Sequence, residues 1–394
     1  MEGQLHSTVK PLYLVSTVFG LVPISPFIRE AKLENIKLKW LYMFWPFTWI
    51  LVLTGLLSFE MCCNIDSHLE LPKTMALSAM AYIVLAYFTC VITLIHNIVQ
   101  RRKFPMILSE LGNIDKTLMP ITGINIYKRE RSYLIKNLVV FCAALIILEV
   151  CFCLEENTGS YTNVLSLVLQ SAPFIINTLT LLQFKTWVRK IYERLYTVNF
   201  IITRHTKEET TAHKNMLTSS KIVNYIEKLA TETRILPLDI QKLRCVYIQL
   251  YDSKEMVVNL YGIPIVCQVL TAYFLSVGAL YWGIKAVVGN YNQLTAALYF
   301  LLGAYTLLML FWNLLHCQLA SSEAHKIVVN IQKMVVKRHF PLLVEQNIMK
   351  MVTQIRDMPI DFSPCGLFTF NLPFMCSTIG VICTYTVILV QLKD

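Results

Sequence analysis

Charge is scarce in this chain of 394 residues: 15% are Asp, Glu, Lys or Arg, against about 25% in an ordinary soluble domain. Hydrophobic residues make up 55% and mean hydropathy is +0.53, which excludes a water-soluble globular fold. No Gly-rich phosphate loop and no nucleophile elbow is present. The twelve cysteines show no metal-ligand spacing. We therefore expect no enzyme, no metal and no cofactor. No Asn-x-Ser/Thr sequon occurs, so no N-glycan is expected. Internal repeats are missing, and six of the seven hydrophobic spans described below have no charged residue at their centre. Both absences argue against a secondary transporter, which couples ions through such groups. A short basic leader with a small-residue cleavage site is lacking as well, so no cleaved signal peptide is expected.

What is present is a set of seven long apolar runs, at 41–60, 75–98, 136–154, 162–184, 257–284, 293–316 and 366–391. Each is long enough, or nearly so, to cross a bilayer as a helix. The expected class is an all-α membrane protein with seven transmembrane helices and cytoplasmic helical extensions. Basic residues fix its orientation. With the N-terminus inside, segments 1–40, 99–133, 185–256 and 317–365 hold 5, 7, 13 and 6 Lys+Arg, and Lys136 brings the inner total to 32 of 35. Only Lys73, Lys285 and Lys393 fall outside. By the positive-inside rule the N-terminus is cytoplasmic and the C-terminus extracellular. That is the reverse of a G-protein-coupled receptor with the same span count. The net charge of +10 therefore faces anionic inner-leaflet lipid rather than nucleic acid. Glu60, Asp66, Glu70, Glu155, Glu156 and Asp394 make the outer face mildly acidic, which favours cations.

The units expected are an interfacial N-terminal segment (1–40), four spans (41–184), a cytoplasmic helical anchor (185–256), two spans (257–316), a second anchor segment (317–365), and a last span with an outer tail (366–394). Pro11, Pro23 and Pro26 punctuate the apolar run 11–28, so it is expected to lie on the inner leaflet rather than cross it. Within the anchor, apolar residues recur at helical steps, while 204–220 is polar enough to read as a flexible loop. The outer loops are too short to form an ectodomain, which leaves a cleft between helix ends for a small ligand.

Several groups are candidates for such a cleft. Glu149 is an intramembrane carboxylate near the outer end of the third span. It either meets a polar ligand or permeating cation, or reaches outer water beside Glu155 and Glu156. Tyr82, Asn163, Gln170, Tyr273, Tyr281, Trp282, Tyr291, Asn292 and Tyr299 lie in or near the outer halves of other spans. Of these, Tyr82, Gln170, Tyr273, Trp282 and Tyr299 join Glu149 as the ligand candidates, although interfacial aromatic belts account for such rings too. His96 and His316, at inner span ends, read as hydrogen-bonded or snorkelling side chains rather than a metal pair. Cys62 and Cys63 fall at the outer end of the first span, and Cys151 and Cys153 at the outer end of the third. A disulfide and buried free thiols are both open readings.

The last span is uncharged yet carries Asn371, Ser377, Thr378, Thr384, Tyr385, Thr386 and Gln391. A helix facing only lipid needs none of them. Tyr385, Ile388 and Gln391 are spaced i, i+3, i+6 on one face, with Ile382 roughly opposite. An apolar residue between two polar ones suits a constriction that gates by dewetting. Hydrogen bonding between helices is the alternative.

Thr384-Tyr385, five residues and Gln391 resemble the C-terminal T-Y-x5-Q-F signature of insect gustatory receptors. KPLYLVSTVFGLVPISPF, HCQLASSEAHKIVVNIQKM and FSPCGLFTFN are similar to that family's opening segment, E-A-x-K cytoplasmic helix and F-x-x-x-G-x-F run. Leu392 stands where the signature has Phe, which is closer to the olfactory co-receptor of the same superfamily. The resemblance implies a ligand-gated, non-selective cation channel in the plasma membrane of a sensory neuron. It implies a homo- or hetero-tetramer with related subunits, whose last helices line the pore and whose cytoplasmic helices anchor the assembly. Carried to this chain, the pore and gate are Thr384, Tyr385, Ile388 and Gln391. The implied partners are a small-molecule tastant, cations and membrane lipid. Thr386 replaces the acidic residue that sugar-sensing members tend to carry, so bitter or plant-derived compounds are expected over sugars. The alternatives are an odorant-receptor-type subunit of the same superfamily and a G-protein-coupled receptor.

Overall fold

The computed structural model describes residues 2–22, 36–63, 73–122, 127–156, 161–214, 222–289, 293–337 and 342–391. Among the described residues all regular structure is helical: α1 (Glu2–Val18), α2 (Ile36–Cys63), α3 (Lys73–Val99), α4 (Lys103–Thr122), α5 (Tyr127–Glu156), α6 (Tyr161–Lys214), α7 (Ile222–Val288), α8 (Gln293–Lys337), α9 (Leu342–Asp357), a 3₁₀ turn at Pro364–Gly366 and α10 (Leu372–Gln391). Every expected span falls on its own helix. Four helices carry a described stretch long and apolar enough to cross a membrane, within Met80–Val99, Ile240–Val288, Ala296–Val336 and Leu372–Gln391. Phe44–Ser58 of α2 is a shorter apolar run. The third and fourth expected spans lie on α5 and α6, parts of whose side chains fall outside the described residues.

Three helices far outrun a bilayer. α6 has 54 residues and α7 has 67, about 80 and 100 Å at 1.5 Å per residue. α8 has 45 residues. A hydrocarbon core about 30 Å thick leaves much of each helix in water. There α8 packs along both α6 and α7. α9 closes the bundle as an amphipathic helix. Val344, Ile348, Met351, Val352 and Ile355 are buried at three- and four-residue steps, while Glu345 and Arg356 complement its dipole from its first and last turns.

Three expectations need correction. The segment 204–220 is not a loop throughout, because α6 runs helically to Lys214 and only 215–220 lies outside the described residues. That run contains no Pro or Gly, and polarity alone does not end a helix. The N-terminal segment is not merely interfacial: α1 buries Leu5, Val9, Leu12, Tyr13 and Ser16 against α4, α5 and α6. Pro11 is accommodated within it, while Pro23 and Pro26 lie outside the described residues. The last span begins as a helix only at Leu372 rather than 366.

A buried ionic network ties α4, α5 and α6 together below the spans. Arg194 is fully buried. Its guanidinium donates to Asp115 at 2.7 Å and Glu130 at 2.8 Å. Lys190 completes the second carboxylate at 2.6 Å and also reaches Thr8 of α1 at 3.1 Å. The Tyr127 hydroxyl donates to Asp115 at 2.9 Å. Burial opposes ionisation of Glu130, but Lys190 and Arg194 outweigh it and hold the carboxyl down to about 2.

Candidate pore face and ligand site

The entry to α10 is built by aromatic packing and one strained turn. Cys365 (φ 53°) and Gly366 (φ 69°) both adopt left-handed backbone, reversing the chain after Pro364. Gly262 of α7 makes room for that turn, since a Cβ there would lie 3.3 Å from the Cys365 nitrogen and Sγ. Phe362 and Phe370 are bridged by a backbone hydrogen bond of 2.7 Å and pack on Phe184 of α6. Phe368 stacks on Phe374 at 4.4 Å. Asn371 then caps α10: its side-chain oxygen accepts from the Phe374 N–H at 3.1 Å. Asn371 is therefore the N-cap of α10.

α10 meets α7 and, less extensively, α8. Its buried face is Met375, Thr378, Ile382 and Thr386. The Thr378 and Thr386 hydroxyls each donate 2.8 Å bonds back to the carbonyl four residues earlier. Those two threonines are thus turned inward and do not line a wet path from this protomer. The opposite side is open. Tyr385 is 53% exposed and Ile388 46%, and Thr384 and Gln391 are exposed too. The structure brings all four proposed gate residues to one broad outward surface and separates them from Ile382, which is 1% exposed.

The four ligand candidates whose side chains are described do not form one cluster. Tyr82 of α3 is buried with Ala86, Leu275 and Leu302, its ring 5.8 Å from Phe174. Trp282 and Tyr299 pack on each other at 5.3 Å across α7 and α8. Tyr299 lies one turn from Leu302, so these two groups share one end of the bundle. Tyr273 is elsewhere, its ring edge-on to Tyr385 at 6.1 Å. It contacts the last helix instead of joining Tyr82. Spacing along one helix could not reveal this, because the contact depends on how α7 and α10 cross. The backbones of Glu149 and Gln170 lie in α5 and α6, but their side chains, like that of Asn163, lie outside the described residues, as do residues 291 and 292 altogether. Cys151 is a free thiol. The side chains of Cys62, Cys63 and Cys153 lie outside the described residues.

Both histidines are hydrogen-bonded within the bundle. His316 Nδ1 donates to the Trp312 carbonyl at 2.8 Å, leaving Nε2 to accept from the Tyr133 hydroxyl at 3.2 Å. His96 Nε2 is 3.3 Å from the Asn259 carbonyl oxygen. Among the described residues no three metal-ligating side chains converge.

This arrangement is that of a helical chemoreceptor. The chain belongs to the 7tm chemosensory receptor family, whose model matches residues 9–394. It is a receptor and not an enzyme. The fold is similar to that of the insect olfactory receptor OR5 from Machilis hrabei, with a TM-score of 0.68, 14% identity and full coverage of both chains. The same receptor in complex with eugenol matches at a TM-score of 0.61, again with 14% identity and full coverage of both chains. No curated relative matches by sequence.

Proposed function

We propose that this chain is a gustatory receptor acting as a ligand-gated, non-selective cation channel in a sensory-neuron plasma membrane. One observation carries the reading. α10 is apolar enough to span, yet it leaves Tyr385 and Gln391 exposed on the outside of its own protomer. Lipid offers such groups no hydrogen bonds. A central axis shared by four copies, homomeric or with related subunits, gives them water and ions, with Ile388 as the apolar ring between them. The Tyr273–Tyr385 contact links α7 to the pore helix, so a ligand that moves α7 would move the gate. The ligand class we infer is a small plant-derived or bitter compound. Thr386 is buried and neutral where an acidic residue would suit sugars. The eugenol complex of the structural neighbour is consistent with a compact aromatic ligand. An odorant-receptor-type subunit is the second reading, favoured by Leu392 and by that neighbour.

Excised patches without nucleotide test the channel. Ligand-evoked unitary currents are expected, with sodium and potassium passing almost equally. A reversal potential that follows chloride at fixed sodium and potassium would sink the proposal. Screening sugars against alkaloids and phenolics then assigns the tastant.

Orientation has its own test, because it rests on the 32-to-3 division of basic residues. A tag after Asp394 should label on intact cells, and one before Met1 only after permeabilisation. The opposite pattern would reject both the topology and the outer position of the gate.

A further inference from the structure

Just beneath the spans, α5 and α6 enclose a small cavity of about 20 Å³. It is unusually cationic. Lys185, Arg189 and Lys190 line it beside Tyr133 and Asn137, with Glu130 as the carboxylate of the wall. Glu130 is already committed, one oxygen to Arg194 and the other to Lys190. Arg189 spends one N–H on Glu193 at 3.1 Å and lays its guanidinium 3.2 Å above the Tyr133 ring centre. Its Nε is buried and makes no hydrogen bond. Lys185 is 7% exposed. Its ammonium meets only the Asn137 side-chain oxygen, at 3.2 Å, and the faces of Trp312 and Tyr133, at 4.8 and 5.9 Å.

The charges around the cavity do not balance. Arg129, Lys185, Arg189, Lys190 and Arg194 face Asp115, Glu130 and Glu193. Two positive charges are left over, which matches the charge of a phosphomonoester near neutral pH. A buried cation without an anion is costly, and a buried donor left unmade costs further. Desolvation, then the nearby Arg189 charge, lowers the Lys185 ammonium to about 8, as expected where cations crowd without a counterion.

Position identifies the source of the anion. Arg189 forms the open side of the cavity, with 22% of its side chain exposed. Trp312, above Lys185, is 40% exposed, and Ile135, Val139 and Val140 of α5 present an apolar surface along the same helix. Exposed indole and aliphatic groups beside buried cations mark the level of lipid headgroups. The cavity has room for roughly one oxygen-sized group. A phosphate would insert one oxygen between Lys185 and the Arg189 Nε while its remaining oxygens stay at the mouth.

We propose that Lys185 and Arg189 form a binding site for a phosphomonoester, carried by the headgroup of an anionic inner-leaflet lipid. The choice of inner leaflet rests on the orientation proposed above, whereas binding in detergent depends on neither orientation nor channel activity.

The test uses the purified full chain in neutral detergent, with thermal unfolding followed against ligand concentration. The probes are dioctanoyl phosphatidylinositol 4,5-bisphosphate, inositol 1,4,5-trisphosphate and dioctanoyl phosphatidylcholine. We expect a saturable rise in melting temperature with the first, a weaker response to the second and none to the third. Lys185→Gln combined with Arg189→Gln should weaken binding about tenfold or more, through the loss of charge-assisted hydrogen bonds. Lys185→Arg should keep it, and so should Lys326→Gln, which removes an exposed charge on α8. Melting without ligand shows whether each variant folds. Asn137→Asp keeps both cations and gives up the 2.8 Å bond that the Asn137 amide donates to the Tyr133 carbonyl, a loss read from its melting without ligand. It places a carboxylate against Lys185 and should abolish phosphate binding while leaving the fold intact. Equal affinity for the lipid and the soluble trisphosphate would reject the lipid source. No saturable response from wild type, or unchanged affinity in Asn137→Asp, would overturn the site itself.

Discussion

Ile388→Ser is expected to open the channel without ligand. Ile388 projects from the unburied side of α10, between Tyr385 and Gln391. Four such side chains around an axis would expel water when close together, and hydroxyls would hold it. Apolar transfer is worth about 0.8 kcal/mol per CH₂, and four subunits multiply it. If only about 1.4 kcal/mol of closed-state preference is lost, the resting open fraction rises about tenfold from a low starting value. Gln391→Ala should change conductance or selectivity more than ligand sensitivity. Ile382 is the contrasting position, buried on the opposite face against the protomer. Ile382→Ser would lose apolar packing and leave a cavity against the protomer, so reduced surface expression is expected instead of leak. Resting current normalised to surface protein separates the two. A silent Ile388→Ser channel at the surface, with a leaking Ile382→Ser, would mean that the pore face has been assigned to the wrong side of α10.

Arg194→Leu should be among the most destabilising single changes in the bundle formed by α4, α5 and α6. Removing one member of a buried ion cluster typically costs about 3–5 kcal/mol, because the remaining charges stay buried without compensation. Here Asp115 would lose its cation and keep only the Tyr127 hydroxyl, and one oxygen of Glu130 would lose its partner. Arg129→Ala is the comparison. Arg129 also pairs with a buried carboxylate, Glu193, but is 68% exposed. Such a pair contributes about 1 kcal/mol or less after solvent screening and side-chain entropy. Thermal unfolding in detergent should rank the two variants clearly. Equal losses would show that the network does not hold the bundle. Acid provides a second arm. The Glu130 carboxyl is held below its ordinary value in the fold, so its contribution is complete above the usual carboxylate range and is lost as pH falls toward 2. In Arg194→Leu that acid-dependent loss should be smaller.

Much of the helical architecture was legible because hydrophobic length is a property of the chain itself. A run of apolar residues must leave water whatever it packs against, so all seven expected spans fall on helices. The i, i+3, i+6 spacing grouped Tyr385, Ile388 and Gln391, but Ile382 stands in the same three-residue series, and only its burial against the neighbouring helices sets it apart from Ile388. Other readings failed where a neighbour decided the outcome. Asn371 read as a polar group within a span, but the turn at Cys365 and Gly366 makes it a cap. For Thr378 and Thr386 the sequence left a wet path and hydrogen bonding both open, and the structure turns both to α10's packed side, bonded to their own backbone. The prolines of the N-terminal segment suggested an element on the inner leaflet, and the sequence did not foresee that α1 packs against the other helices.

The sequence by itself determined the helical membrane class, the expected sidedness and the family signature around Thr384-Tyr385 and Gln391, since composition, periodicity and residue order need no partner. Only the tertiary structure decided which polar groups meet. It placed Tyr273 on Tyr385 instead of Tyr82, closed Arg194 onto Asp115 and Glu130 from two other helices, and left Lys185 enclosed without a carboxylate. The physical reason is that burial and pairing depend on helix crossings between residues tens to hundreds of positions apart, and local spacing along the chain does not encode those crossings.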